Sequence, residues 1–373
     1  MQHIDSTHPL FEPCCLSTTI GSLPHKDIQR GIELTFEFTP EIPGWPSFPK
    51  RSFHENMMMQ FTQGLPGLVE DGDCMTFNKA MDDFPEQLTC FYDAYLKVME
   101  TGNLDALQYF NISESHAAGF AAFVHRLNEQ SVARYVGLKG CVTGPFTLGT
   151  NIVDQEDRLA YYDDQLRDVI VKTAAMKSIW QINRLKPFCD TIIISIDEPA
   201  LLNFGSQMFL TVGREDIIQD LKEIAAAIHD NGGLAGTHCE ENTDWSLLME
   251  ADLDILFFDA YAHMQGLTLY PRELQSFLDR GGCLGWGIVP TLDIEAAATE
   301  TLDTLLNRFD DGMNQLVEKG FDKTLLLQRA LITPSCGMGA ILTPPIAERV
   351  LSLLRQISIS LRDRYGFSTE EIS

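Results

Sequence analysis

The chain has 373 residues, of which 45% are hydrophobic and 21% are charged, and its formal net charge is -26. This composition is typical of a globular protein, and the excess of acidic residues excludes nucleic acid and anionic membrane surfaces as partners. No apolar run approaches the roughly 20 residues that span a bilayer, and residues 1–10 lack the basic start and apolar stretch of a signal peptide. We therefore expect a cytoplasmic protein with no membrane partner.

The nine cysteines are an odd set scattered through the chain. Such spacing in a large acidic chain is not that of a disulfide framework, so we expect most of them to be reduced. A free cysteine behaves as a small hydrophobic residue, and most of the nine are expected in the core.

The predicted elements, taken in chain order, alternate between strands and helices. Repeated strand–helix units indicate parallel strands joined by helical crossovers. In the first half we predict strands at 17–22, 104–111 and 137–142, and helices at 114–130 and 159–185. In the second half we predict strands at 191–196, 234–238, 254–258, 283–289 and 324–332, and helices at 214–231, 243–250, 271–279, 294–319 and 345–362.

Two α/β folds explain this alternation, a (β/α)8 barrel and a doubly wound open sheet. The chain length and a number of units that approaches eight favour the barrel. The stretch 38–49 contains four prolines and cannot form a regular element, so we predict a loop over one end of the barrel. The prediction is a single (β/α)8 TIM-barrel domain over 1–373, with an inserted proline-rich loop region around 38–80.

Chemically distinctive residues follow several predicted strands. In a barrel, catalytic groups come from the C-terminal ends of the strands and the loops after them. Carboxylates, an imidazole and thiols are therefore expected to meet at one rim, at Gly21, Ser22, Asp197, Glu198, His238, Cys239, Glu240, Asp259 and Cys336.

One group of these residues has the chemistry of a metal site. His238 and Glu240 share a side of their strand because successive side chains alternate, whereas Cys239 faces away unless the strand has already ended. The plain alternative is that His238 hydrogen-bonds locally and Cys239 packs under a helix. Asp259 and Cys336 end two further strands, and zinc binds such a mixture of nitrogen, oxygen and sulfur ligands tetrahedrally. We predict a metal site formed by these residues, with Cys239 as the alternative to Glu240.

The pair Asp197 and Glu198 ends another apolar strand and is the predicted catalytic pair. Two carboxylates at this place can bind a substrate ammonium group or act as acid and base. The plain alternative is that the pair caps the helix that begins near Pro199. The turn at Gly21 and Ser22 can offer backbone N–H groups to a substrate carboxylate.

Several segments, in order over nearly the whole chain, resemble the C-terminal catalytic barrel of cobalamin-independent methionine synthase. They are STTIGSLPHKD (17–27), VTGPFTLG (142–149), IDEPAL (196–201), the segment around His238, and ITPSCGMG (332–339). The resemblance implies a short single-barrel member of the wider superfamily that includes uroporphyrinogen decarboxylase and corrinoid-dependent methyltransferases.

The resemblance also implies a bound zinc ion. The family's ligands are a His-x-Cys pair, an acidic residue one strand later and the Cys of a PxCG motif, which fall here on His238, Glu240, Asp259 and Cys336. Glu240 thus stands where the family has Cys, and Asp259 where it has Glu. Zinc accepts carboxylate oxygen, so the site is retained in a changed form.

The substrate contacts that the resemblance implies are those of homocysteine. They fall on Ile20, Gly21, Ser22 and Asp197, and on Gln60, where the family has an acidic contact to the amine. Loss of a charge at Gln60 makes homocysteine one of several thiols that fit.

The residues that contact the methyl donor depart from the family pattern. The tryptophan that stacks on folate is absent, with Asn151 near its place, and the proton-donating histidine is missing from 285–291. The resemblance to short relatives implies a corrinoid donor, either methylcobalamin or a corrinoid protein, instead of methyltetrahydrofolate.

The sequence therefore predicts a zinc-dependent methyltransferase acting on a small thiol such as homocysteine, with a methylcorrinoid as donor. One alternative is a metal-free decarboxylase or lyase like uroporphyrinogen decarboxylase, using Asp197. The strand ends offer no arginines for a substrate rich in carboxylates, which disfavours it. A second alternative is a non-catalytic relative that docks a corrinoid protein, favoured by Gln60, Glu240 and the missing histidine.

Overall fold

The structure is a computed structural model that describes residues 10–72, 74–129, 134–240 and 243–367. In these ranges seven strands form one parallel sheet in the order β1, β10, β9, β8, β7, β6, β4, and three short strands form a second sheet in the order β2, β3, β5. Helices follow most strands of the main sheet, which confirms the predicted (β/α)8 barrel class. The strands are β1 Leu16–Ser17, β2 Leu68–Asp71, β3 Cys74–Phe77, β4 Leu138–Thr143, β5 Val153–Asp154, β6 Ile192–Asp197, β7 Gly233–Cys239, β8 Ile255–Phe258, β9 Cys283–Val289 and β10 Ala330–Pro334.

The proline-rich segment occupies the eighth strand position, between β1 and β4. Gly44 forms a parallel bridge with Lys139 of β4, and Trp45 N donates to Lys139 O at 3.1 Å. On the other side, Thr18 Oγ1 donates to Ile42 O at 2.8 Å. The segment thus closes the barrel between the two edge strands.

Two expectations for the first half of the chain are wrong. The stretch 38–49 was expected to be a loop over the barrel end, but its central part runs beside β4 in an extended form. Proline has no N–H to donate, so Pro43 and Pro46 interrupt the ladder and hide the strand from pattern analysis. Residues 104–111, expected to be a strand, form instead the 3-10 helix Leu104–Phe110.

Several helices begin at a polar side chain that caps them. Asp27 and Asp163 accept backbone N–H groups at the starts of α1 and α6, as N-cap residues do. The helices are α1 Ile28–Phe38, α2 Met57–Gln60, α3 Phe84–Thr101, α4 Ala118–Glu129, α5 Pro145–Asn151, α6 Asp164–Leu185, α7 Arg214–Asp230, α8 Trp245–Glu250, α9 Met264–Leu267, α10 Pro271–Asp279, α11 Ile294–Thr299, α12 Leu302–Glu318, α13 Lys323–Gln328 and α14 Pro344–Tyr365.

Two predicted elements are divided in the structure. The helix expected over 294–319 breaks between α11 and α12, because Thr301 and Thr304 form a capping box that starts a new helix. The strand expected over 324–332 begins as α13, which is capped by Asp322, and β10 starts only at Ala330.

The core has two apolar layers. The larger one lies between the sheet and the helices that cover it. The smaller one fills the barrel interior and includes Ile42 of the closing segment, which supports its place in the barrel wall; its buried members are Leu16, Ile20, Ile42, Ile193, Ile255, Phe257, Cys283 and Leu331.

All nine cysteines lie in the described ranges, and none forms a disulfide. Among the helices that the structure describes, none combines the length and the apolar character needed to cross a bilayer.

Candidate active site

A cavity of about 350 Å³ opens where the strands of the barrel end, and it is the natural place for a small substrate. A larger cavity, of about 710 Å³, lies apart from it between residues 260–266 and α12 and contains none of the predicted site residues. The smaller cavity is lined by eight of the predicted site residues: Ile20, Gly21, Ser22, Gln60, Asp197, His238, Glu240 and Cys336.

Three predicted metal ligands lie in one part of this wall. Cys336 Sγ donates to Glu240 Oε2 at 2.6 Å, and burial together with this carboxylate raises the pKa of the Cys336 thiol well above its usual value. His238 Nε2 lies 3.3 Å from the carbonyl oxygen of Ser335, the residue before Cys336. Burial lowers the pKa of His238 to about 4, so its imidazole is neutral near pH 7. A neutral imidazole, a carboxylate and a cysteine thiolate are zinc ligands, so metal binding at this place would release the proton of the Cys336 thiol.

The other two predicted ligands lie elsewhere. Cys239 is buried and does not line the cavity, as the alternation of strand side chains predicts. Asp259 is also buried outside the cavity lining, where its carboxylate accepts a hydrogen bond from Ala262 N at 2.8 Å. Burial raises the pKa of Asp259.

Asp197 ends β6 and faces the cavity. Its Oδ1 accepts a hydrogen bond from Ser195 Oγ at 2.6 Å. Burial raises the pKa of Asp197 to about 6, while the nearby charge of Lys139 opposes the shift. This carboxylate is therefore ionised near neutral pH and can pair with a substrate ammonium group.

The side chain of Glu198 points away from the cavity into the protein. Its two carboxylate oxygens accept hydrogen bonds from Phe146 N at 3.0 Å and Thr147 N at 2.7 Å, in the first turn of α5. Burial raises the pKa of Glu198 to about 7. The predicted pair is thus divided by the structure, because only Asp197 reaches the place where a substrate can bind.

The predicted substrate contacts line the cavity from the segment after β1 and from α2. A side chain at Gly21 would meet no atom within 4 Å, so its backbone borders open space. Ser22 O accepts from Met338 N and Ser22 Oγ accepts from Gly339 N, both at 3.0 Å. Gln60 lines the cavity and donates through Nε2 to His116 O at 3.0 Å.

Lys139, a buried lysine in β4, was not among the predicted site residues. Its Nζ donates to Ile20 O at 2.8 Å and lies 5.2 Å from the centroid of the Phe257 ring. Burial lowers the pKa of Lys139, and the carboxylate of Asp197 opposes that shift. A lysine within the predicted strand 137–142 was the available signal, since lysines are almost never fully buried without a function or a partner.

A second omission lies outside the cavity. The described part of the chain contains one cluster of potential metal ligands, formed by His54, Glu70 and His116. Each of the three offers one ligand atom, and these atoms all lie within 4.8 Å of one another. No sequence signal identified this set, because its members are not at strand ends and are far apart in the chain.

No family model matches the sequence, and no curated protein matches it. Solved structures do resemble it. A B12-independent methionine synthase from Shewanella sp. W3-18-1, solved with selenomethionine, has a TM-score of 0.56 and 14% identity, covering 96% of this chain and 100% of that one. A methyltransferase from Methanosarcina mazei has a TM-score of 0.53 and 12% identity, covering 93% of this chain and 94% of that one.

A third similar structure is a candidate vitamin-B12-independent methionine synthase from Listeria monocytogenes. Its TM-score is 0.50 with 12% identity, covering 90% of this chain and 85% of that one. At these identities the likeness shows the fold, and at that level the predicted resemblance to cobalamin-independent methionine synthases is confirmed.

Proposed function

We propose that the protein is a zinc-dependent methyltransferase that methylates a small thiol such as homocysteine. The observation that carries this proposal is the meeting of His238, Glu240 and Cys336 in the wall of one cavity, beside Asp197. The similar structures are methionine synthases or methyltransferases, and one of them was solved with selenomethionine, the selenium analogue of a methylated thiol product.

The donor set fits zinc in its chemistry. Three protein ligands of nitrogen, oxygen and sulfur type are those of a catalytic zinc site, which keeps one position for the substrate. Their ligand atoms do not all lie within 4.8 Å of one another in this structure, so metal binding would require these side chains to move closer together. When bound, zinc would lower the pKa of a coordinated substrate thiol, so that it is a thiolate at neutral pH.

The chain's own residues hold the substrate. The Asp197 carboxylate pairs with the substrate ammonium group, and the backbone at Gly21 and Ser22 receives its carboxylate. Apolar side chains of Met57 and Met58 face the same cavity and keep water from the reacting sulfur. Holding the sulfur in line with the methyl group is the main catalytic contribution of the protein.

A methylcorrinoid is the donor that we propose. Asn151, which stands near the place of the folate-stacking tryptophan, is held within α5 by a hydrogen bond from Nδ2 to Thr147 O at 2.8 Å. Its amide offers no aromatic surface for folate. In the transfer, the sulfur forms the new bond to the methyl carbon while the cobalt–carbon bond breaks and the corrinoid keeps the electron pair.

The first test is metal analysis of the purified protein, followed by an assay of methylcobalamin with homocysteine and related thiols. We expect bound zinc and a methylated thiol product. His238→Ala and Cys336→Ser should each remove zinc from the cavity and abolish methyl transfer. A Cys336→Ser enzyme that keeps both its cavity zinc and its activity would refute the proposal.

A matched pair of variants distinguishes the two candidate partners of His238. Glu240→Gln should lose cavity zinc and activity, because Glu240 contacts Cys336 in the cavity wall. Cys239→Ala should retain both, because Cys239 lies outside the cavity lining. The opposite result would assign the ligand to Cys239.

A further inference from the structure

Three side chains from distant parts of the chain meet beside the active-site cavity, outside its lining. His54 belongs to the 3-10 helix Phe53–Glu55, Glu70 to β2, and His116 lies just before α4. His54 Nε2 lies 3.2 Å from Glu70 Oε2, and the centroids of the two imidazole rings are 4.7 Å apart. One ligand atom from each of the three lies within 4.8 Å of the others.

The buried histidine of this cluster has a nitrogen without a partner. His116 is 7% exposed, and in the described part of the chain its Nε2 has no hydrogen-bond partner. Its Nδ1 lies 3.0 Å from Ser115 Oγ and 3.3 Å from Ser113 Oγ. An Nδ1–H that donates to a serine hydroxyl leaves the lone pair on Nε2, which is how the ring of a metal-bound histidine is usually fixed.

A buried polar atom without a protein partner is uncommon in folded proteins and is available to bind a water or an ion. Here the atom is an imidazole nitrogen beside a second imidazole and a carboxylate. His54 and Glu70 are 39% and 42% exposed, so an ion can reach the cluster from solvent.

We propose that His54, Glu70 and His116 bind a divalent transition-metal ion. Two imidazoles and one carboxylate, with a fourth position for water, are the ligands of a tetrahedral zinc site. This site shares no residue with the cavity site of His238 and Cys336, and it does not depend on the proposed methyl transfer.

The ion would position one wall of the cavity. Gln60 lines the cavity and donates to His116 O at 3.0 Å. Glu55 follows His54, lines the cavity as well and accepts a hydrogen bond from Phe48 N at 3.1 Å. Metal binding would therefore connect β2 to the segment that carries these two residues, without touching the substrate.

The test uses the full chain with Cys336→Ser, so that the cavity site lacks its thiol. The protein is stripped with a chelator and titrated with zinc chloride by calorimetry. We expect one zinc ion per chain, and about tenfold or more weaker binding after His116→Gln is added. Cobalt(II) bound to the same protein should show d–d absorption without the intense near-ultraviolet band of a thiolate ligand.

Two further variants keep the result interpretable. His125→Gln, on the exposed face of α4 with its side chain 76% exposed, should bind zinc as the parent does. Glu70→Gln changes an exposed strand position and should weaken binding even if His116→Gln fails to fold. The proposal is overturned if the Cys336→Ser chain binds no zinc, or if Glu70→Gln and folded His116→Gln bind it as tightly as the parent. Neither outcome bears on the cavity site, whose thiol is absent from every protein in this test.

Discussion

Asp197 and Glu198 are adjacent in the chain, but their carboxylates have different surroundings. Asp197 faces the cavity and is hydrogen-bonded to Ser195, whereas Glu198 caps the first turn of α5 from within the core. The alternation of side chains at the end of a strand explains the division. Local sequence predicted two carboxylates at this place, and the position of α5 decides which of them can meet a substrate.

At the residue scale, we predict that Glu198→Ala costs about 1–3 kcal/mol of unfolding free energy, because it leaves the buried N–H groups of Phe146 and Thr147 without acceptors. Urea unfolding at about pH 4, below both the ordinary pKa of a glutamate and the raised pKa of Glu198, measures this cost with the carboxyl group mainly protonated in the folded and unfolded states. A variant that lost activity but kept full stability would contradict the structural role.

Asp197→Asn is the matched variant and should behave differently. The pKa of Asp197 is raised to about 6, so the folded state holds more protons than the unfolded state between about pH 4 and pH 6. The contribution of the Asp197 carboxyl to stability therefore falls as pH rises through that range. Asp197→Asn should remove this pH dependence of stability. Stability above pH 6 should be unchanged or higher, while the KM for an amino-acid thiol should rise.

At the scale of elements, the proline-rich segment is held in the barrel wall by close packing against α4. A Cβ atom added at Gly119 would lie 1.7 Å from Pro46 O and 3.1 Å from the ring of Phe48. The helix can approach the segment only because this position has no side chain. The same segment carries Ser47 and Pro49, which line the cavity.

We predict that Gly119→Ala destabilises the protein by about 1–3 kcal/mol through overpacking. The direction of this change in stability is informative, because replacing glycine by alanine inside a helix ordinarily stabilises a protein by about 1 kcal/mol. Thermal unfolding, compared with the exposed variant Ala121→Ser, measures it, and the control should stay within about 0.5 kcal/mol of the parent. An increase in stability for Gly119→Ala would show that the segment does not pack here.

At the scale of the whole molecule, the two ends of the described chain are joined. β1 has only two residues, and the turn before it places Cys14 and Cys15 at φ values of 47° and 63°. Ser358 Oγ of α14 donates to Cys15 O at 2.7 Å, and Arg362 donates to Cys14 O at 2.9 Å. The last helix therefore holds the first strand in the barrel.

We expect Arg362→Ala to lower the unfolding free energy by about 1–3 kcal/mol, because it removes a buried donor from the Cys14 carbonyl. Arg364→Ala, which breaks an exposed ion pair with Asp310, should cost about 0–1 kcal/mol. Urea unfolding of both variants checks the comparison. Equal effects would mean that the contact between the chain ends contributes little to closure.

Much of the fold and part of the site were predictable from the sequence. Apolar runs alternating with amphipathic stretches predicted β6, β7, β8 and β9 with nearly correct bounds, because a parallel barrel strand is apolar on both faces. Ligand-type residues at strand ends predicted where His238, Glu240 and Cys336 would lie, since the ends of parallel strands meet at one rim.

Three features required the tertiary structure. The segment around Gly44 has no strand periodicity, and it becomes a barrel strand only because β1 and β4 lie on either side of it. Lys139 is explained only by contacts across the barrel, and the cluster of His54 and His116 forms only when distant segments pack together. Periodicity is a local property of the sequence, whereas barrel closure and the meeting of ligands distant in sequence depend on where the whole chain places its elements.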